Sequence, residues 1–219
     1  MTSFEAEALL FDMDGVLLSS IASAERCWRR WAEHYSVPGW ETFTIPHGVR
    51  AIDIVKMSAP WVDPVEGLRL IEDMEIEDVS DVRVLPGAGA LLASLPAERW
   101  TIVTSASARL MEARVKAAGL PLPKKYITAD DVTKGKPDPE PYRKGAALLG
   151  FEAAACVVVE DAPSGIAAGH GAGARVLGVA TSHTAEQVAA AKADWVVRSL
   201  EGVRLVEAGR LLRFEAAVV

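Results

Sequence analysis

The chain has 219 residues, 50% of them hydrophobic and 24% charged, with a formal net charge of −7. This length holds one large domain, or one domain with a modest insertion, and the composition is that of a soluble globular protein. The acidic balance argues against a nucleic-acid partner or an anionic membrane surface. The basic residues are scattered, and "CWRRWAEH" and "RLMEARVKAAG" read as solvated helix faces.

The N-terminal "MTSFEAEALL" carries acids and lacks the basic start and long apolar centre of a signal peptide. No apolar run approaches the ~20 residues that cross a bilayer. Cys27 and Cys156 lie far apart, in no zinc spacing and with no disulfide framework, so a reducing cytoplasm is the expected setting. The first strand runs through "LLF", which ends on Asp12 and Asp14 with nothing basic beside them. Residues 17–80 then show only helical patterns: "SIASAERCWRRWAEHYSV", "VRAIDIVKMSA" and "PVEGLRLIEDMEIEDVSDV", separated by Pro- and Gly-bearing joints. A helical block placed there predicts an inserted cap over 17–80, with 1–16 and 81–219 as the core.

From about residue 81 onward, short apolar runs alternate with amphipathic helices. "GAGALLASL" is a helix and "RWTIVTSA" a strand; "ARLMEARVKAAG" is a helix stopped by Gly119. "KYITA" reads as a short strand, and "DPEPYRKGAALLG" as a helix with Pro in its first turn and Gly150 at its end. "ACVVVED", "ARVLGVA" and "WVV" are strands, joined by the helices "APSGIAAGHGAG" and "TAEQVAAAKA". Unbroken Val, Ile and Leu mark a parallel sheet covered on both faces. The fold class is therefore α/β: a doubly wound, Rossmann-like parallel sheet with an inserted α-helical cap. The tail "RLLRFEAAVV" carries no decisive pattern. The six tryptophans are dispersed and read as packing residues.

In open parallel sheets, ligands gather beyond the carboxyl ends of the strands. Here "LLF" is followed by Asp12 and Asp14, "TIV" by Thr104 and Ser105, and "VVV" by Glu160 and Asp161. Lys136, held between Gly135 and Pro137, adds a cation from a loop. Asp12 and Asp161, with Glu160 behind them, make an oxygen-rich site for a hard cation such as Mg²⁺, which also relieves their mutual repulsion. Thr104 can donate to a phosphate oxygen and Lys136 can neutralise charge, so the groups suit phosphoryl transfer. Asp12, which ends the strand, is the candidate nucleophile; Asp14, just beyond, is the candidate general acid and base.

"FDMDGV", "VTSAS", "GKPDPEPY" and "VVVEDAPSGI" resemble, in that order, the four signature motifs of the haloacid dehalogenase-like hydrolases. That resemblance implies an aspartyl-phosphate mechanism. Asp12 would be the nucleophile, Asp14 the acid/base whose backbone carbonyl also meets Mg²⁺, Thr104 and Lys136 the phosphoryl holders, and Glu160 with Asp161 the rest of the metal site. The helical block resembles the cap of the beta-phosphoglucomutase-like subgroup, which implies substrate contacts for Arg50 and His47 in "PHGVR"; Ser105, beside Thr104 at its strand end, is a further substrate-binding candidate. Within the subgroup the chain is most similar to phosphatases of sugar and polyol phosphates, so a monomeric enzyme acting on a small phosphate ester is expected. It departs from many relatives in having Ser19-Ser20 where they carry Asp-Ser.

The alternative is a phosphomutase, which runs on the same groups. The resemblance to the mutase implies a His on the first cap helix, and spacing from Asp12 places Ala24 there. A carbon–halogen dehalogenase is disfavoured by the presence of Asp14. A receiver-type signalling module has no acidic pair after its lysine, and a non-catalytic descendant would not need every reacting group.

Overall fold

The computed structural model describes residues 1–46 and 48–219. The chain begins with β1 (Thr2–Ala6) and β2 (Ala8–Phe11), every residue of β2 being buried. Beyond the turn bearing Asp12 and Asp14 come β3 (Leu18–Ser19) and the helices α1 (Ile21–His34), α2 (Ala51–Ser58) and α3 (Pro64–Glu77). The chain returns through β4 (Arg83–Val84), which pairs antiparallel with β3, Leu18 opposite Val84 and Ser19 opposite Arg83. Exit and re-entry of the helical block are thereby stitched side by side.

Then come α4 (Ala88–Ser94), β5 (Trp100–Ile102), α5 (Ala108–Ala118), α6 (Glu140–Leu149), β6 (Cys156–Glu160), α7 (Pro163–Gly171), β7 (Arg175–Val179), α8 (Ala185–Ala190) and β8 (Trp195–Val197), helix and strand alternating except between α5 and α6. Five of the strands form the predicted parallel sheet in the order β5-β2-β6-β7-β8. Leu9 is flanked by Trp100 on one side and Val157 on the other. The winding reverses at β2, because the chain continues to β5 on one side and to β6 on the other. A crevice opens at the carboxyl ends of such a pair, so Asp12, one residue past β2, stands at the switch point.

Side chains alternate across this sheet. Leu9, Phe11, Val157 and Val159 pack with Met111 and Val115 of α5 on one face, and Leu10 and Val158 pack with Tyr142, Ala146 and Ile166 of α6 and α7 on the other. Each fully buried Val, Leu or Phe contributes about 1.5–3 kcal/mol. The helix stops lie where the sequence places them: Gly119 and Gly150 close α5 and α6 in left-handed conformation. Pro64 opens α3 behind Asp63, whose carboxylate accepts from the backbone N–H groups of Val65 and Glu66.

Helices α1–α3 enclose an apolar cluster of their own, built on Trp28, Trp31, Ile54, Val55 and Ile71. The Trp31 indole donates to the Gly67 carbonyl at 2.8 Å. Trp61, 60% exposed, is the tryptophan that the packing expectation does not cover. Both cysteines are free and buried.

Three features depart from the sequence reading. "KYITA" is not a strand; Ile127 alone bridges Val103. The tail forms β9 (Val203–Ala208) and β10 (Leu212–Ala216), and β10 lies between β9 and β1 in a separate antiparallel sheet. Leu212, Phe214 and Ala216 of β10 point inward, alternating with more exposed neighbours. Finally, "RLMEARVKAAG" is not wholly a solvated face, for Arg114 is buried. No helix among the described residues is long and apolar enough to cross a membrane.

Candidate active site

Four strand ends and loops deliver the predicted groups to one place. Asp12, Thr104, Lys136, Glu160 and Asp161 are all buried, while Asp14 is partly open to solvent. Lys136 spends its three N–H bonds inside the site: Nζ donates to Asp12 Oδ1 at 2.6 Å, to Glu160 Oε1 at 2.7 Å and to the Val103 carbonyl at 3.1 Å. Its ammonium also lies 4.9 Å from the centre of the Tyr142 ring. Burial alone would lower its proton affinity, but Asp12 and Glu160 outweigh burial and hold the ammonium charged, with its pKa above the ordinary lysine value.

The carboxylates show the converse. Burial pushes Asp12 up from 3.8 to about 7; Lys136 opposes that shift, and Glu160 and Asp14 reinforce it. Asp161 is raised well above the carboxylate range by burial and then by Glu160 and Asp12. Glu160 is fastened by Lys136, by the Tyr142 hydroxyl at 2.7 Å and by the backbone N–H groups of Asp161 and Ala162 at 3.0 and 3.2 Å. Thr104 Oγ1 accepts from the Ala106 N–H at 3.1 Å.

Asp12, Glu160 and Asp161 each offer a carboxylate oxygen, all within 4.8 Å of one another. Three acids against one lysine leave excess negative charge in a buried space, and hard oxygen donors in this number suit a divalent cation. Gly15 supports the same reading: it has φ +86°, and a Cβ there would lie 2.0 Å from Asp161 Oδ2. Only glycine lets the "DMDG" turn approach the acidic pair so closely.

Asp14 is held from both sides. The Ser20 hydroxyl donates to Oδ1, and Arg114 Nη1 donates to Oδ2 at 3.0 Å. Arg114 Nη2 donates to Glu75 of α3, also at 3.0 Å. Burial raises the Glu75 carboxyl from 4.5 to about 7, with Arg114 opposing the shift. Arg114, Glu75 and Tyr142 escape the sequence reading because each lies in an amphipathic helix, where a polar residue is ordinarily solvated. A cavity of about 100 Å³ joins Asp12, Asp14 and Thr104 of the sheet edge to apolar side chains of the helical block such as Trp28 and Ile54.

The residues expected to meet substrate divide. Ser105 lines this cavity and donates to the Gly48 carbonyl at 2.8 Å. Arg50 is drawn elsewhere: its guanidinium bonds Asp53 at 2.8 and 3.1 Å and the carbonyls of Val132 and Thr133 at 3.2 and 3.0 Å. His47 lies outside the described residues.

Fold and site define an α/β enzyme whose chemistry collects at the carboxyl ends of parallel strands. The chain belongs to the haloacid dehalogenase-like hydrolases, whose family model matches residues 6–173. It is 36% identical to hexitol phosphatase A of Escherichia coli K12, covering 92% of this chain and 94% of that protein. It is 35% identical to 2-deoxyglucose-6-phosphate phosphatase 1 of Saccharomyces cerevisiae, covering 94% and 93%. The beta-phosphoglucomutase of Bacillus subtilis is more distant, at 27% identity over 79% of this chain and 83% of that one. A crystal structure of a hydrolase from Pseudomonas syringae shares the fold, with a TM-score of 0.77 at 24% identity, covering 89% of this chain and 94% of that chain.

Proposed function

We propose that this chain is a Mg²⁺-dependent phosphatase that hydrolyses a small phosphomonoester, a sugar or polyol phosphate, through an aspartyl-phosphate at Asp12. The observation that carries the reading is the setting of Asp12: past β2 at the switch point, 2.6 Å from the Lys136 ammonium and grouped with Glu160 and Asp161. A carboxylate placed there is oriented, charge-balanced on one side and open to the cavity on the other.

Asp12, Asp161 and Glu160 are the side chains that would hold Mg²⁺, with the backbone of Asp14 beside them. When bound, the ion neutralises charge on the carboxylates and on the phosphoryl group in transit. In the first step an Asp12 oxygen forms a bond to phosphorus while the ester P–O bond breaks, and the leaving alkoxide takes a proton from Asp14. In the second, Asp14 takes a proton from water as the water oxygen bonds to phosphorus. The Asp12–phosphorus bond breaks, and phosphate and the free carboxylate are regenerated. Thr104 and Lys136 hold the phosphoryl oxygens in both steps.

Residues 17–80 act as a cap that closes the cavity over the alcohol portion of the substrate. The cavity beside Asp12 and Thr104 receives that portion, with Ser105 among its lining residues. Arg50 stands at the joint between cap and core, reaching the Val132 and Thr133 carbonyls. Ala24 lines the cavity where the mutase-type histidine would stand, which favours release of phosphate over its return to the sugar. The test is phosphate release from glycerol and hexitol phosphates with Mg²⁺, with and without EDTA. Chelation is expected to stop turnover; undiminished release in EDTA would overturn the metal assignment.

A further inference from the structure

Asp14 is fixed by a group that none of the four strand-end motifs supplies. Arg114 lies in the middle of α5, and its guanidinium is buried between two carboxylates from different parts of the chain. One is Asp14, in the turn after β2; the other is Glu75, near the end of α3 in the helical block. Both bonds are 3.0 Å, and they leave from different nitrogens of one planar fork. The Ser20 hydroxyl takes the other Asp14 oxygen, so neither carboxylate oxygen is without a donor. The same two helices meet again nearer the surface, where Arg109 pairs with Asp73 at 2.6 Å.

Glu75 and Arg114 are each 5% exposed. A buried pair of this kind is weak evidence for stability, because desolvation cancels most of the attraction. Its geometry does something packing alone would not require: it ties the orientation of Asp14 to the seating of α3 on α5. We propose that Arg114 is a positioning residue for Asp14, and that Glu75 makes this positioning depend on the docking of the helical block. Asp14 is then set for proton transfer only while α3 is packed against the core, so capping and acid–base chemistry are coupled through one side chain. This role rests on the phosphatase reading above.

The two steps of the reaction allow a test that misfolding would not imitate. With p-nitrophenyl phosphate the leaving group departs as a stable anion with the bonding electron pair, so formation of the aspartyl-phosphate needs no proton from Asp14. Hydrolysis of that intermediate still needs Asp14 to accept a proton from water. Rapid mixing of Arg114→Met with p-nitrophenyl phosphate and Mg²⁺ is expected to give a burst approaching one p-nitrophenolate per active site. Steady-state release should then fall roughly 10–100-fold, the scale of a misplaced catalytic group. Arg114→Lys should recover part of the steady-state rate.

The double variant Arg114→Met with Glu75→Gln removes both buried charges and should melt close to the parent protein while keeping the low steady-state rate. Recovery of turnover along with stability in the double variant, or burst and steady state declining together in the single one, would overturn the positioning role. Failure of the parent enzyme to release p-nitrophenolate or phosphate from any ester rejects the phosphatase reading itself, which separates the two claims.

Discussion

Among the described residues two buried cations bridge carboxylates, and they differ in what they connect. Lys136 joins Asp12 to Glu160, both at strand ends of the parallel sheet, and its ammonium is fully enclosed. Arg114 joins Asp14 to Glu75, and so links the sheet edge to the helical block. The lysine bridge belongs to the rigid core: its partners end adjacent, hydrogen-bonded strands, β2 and β6. The arginine bridge spans elements that meet only when α3 lies on α5. A compact ammonium suits the first place, where three acceptors converge on one atom; a planar fork suits the second, where two carboxylates face it from opposite sides. One bridge therefore lies wholly within the core, and the other joins the core to the helical block.

Breaking the lysine bridge should have the larger effect. Lys136→Met leaves Asp12 and Glu160 facing each other without a cation, and loss of one partner from a buried ion pair costs about 3–5 kcal/mol. Urea denaturation at neutral pH should show that loss, and phosphate release should drop by roughly 10²–10³-fold or more, as when a charge-stabilising donor is removed. Added Mg²⁺ should recover part of the stability but not the turnover. Activity near the parent level would mean that the lysine bridge is structural only.

The pH dependence of stability sharpens the contrast on the arginine side. The Glu75 carboxyl is raised from 4.5 to about 7 by burial, so the folded protein binds its proton more tightly than the unfolded chain does. Its contribution is full below about 4.5 and is lost as the pH rises through about 7. Metal-free protein should therefore lose stability across that window, with Asp12 adding a slope of the same sign. Glu75→Gln should flatten the slope in denaturation curves recorded through the window; an unchanged slope would show that Glu75 does not titrate there. The smallest effect is expected from Tyr142→Phe, which removes one donor to Glu160 and leaves Lys136 and two backbone N–H groups in place. A loss of about 1–3 kcal/mol in stability is expected, with little change in KM.

The sequence made the lysine bridge legible and the arginine bridge opaque, for a physical reason. Asp12, Lys136 and Glu160 follow apolar runs or stand between Gly and Pro, so their position in the chain already implies a strand edge or a constrained loop. Arg114 and Glu75 lie inside amphipathic helices among other charged residues, where periodicity alone does not say which polar side chain another helix will cover. The parallel sheet was legible from its unbroken Val, Ile and Leu runs. The small antiparallel sheet was not, because β10 pairs with β1 at the far end of the chain, although "LRFEA" carries the period-two alternation that could have marked it. "KYITA" shows the reverse error, since β-forming residues there contribute one bridge and no strand.

The proposed chemistry begins with attack of Asp12 on the phosphorus of a small sugar or polyol phosphate. The most direct measurement is phosphate release with Mg²⁺ from hexitol, glycerol and 2-deoxyglucose phosphates, with nucleotides and glucose 1-phosphate for comparison, in the parent protein and in Asp12→Asn. Turnover of the sugar and polyol esters should stand well above that of nucleotides, with none in Asp12→Asn. Release that persists in Asp12→Asn, or interconversion of glucose phosphates without net phosphate, would contradict that expectation.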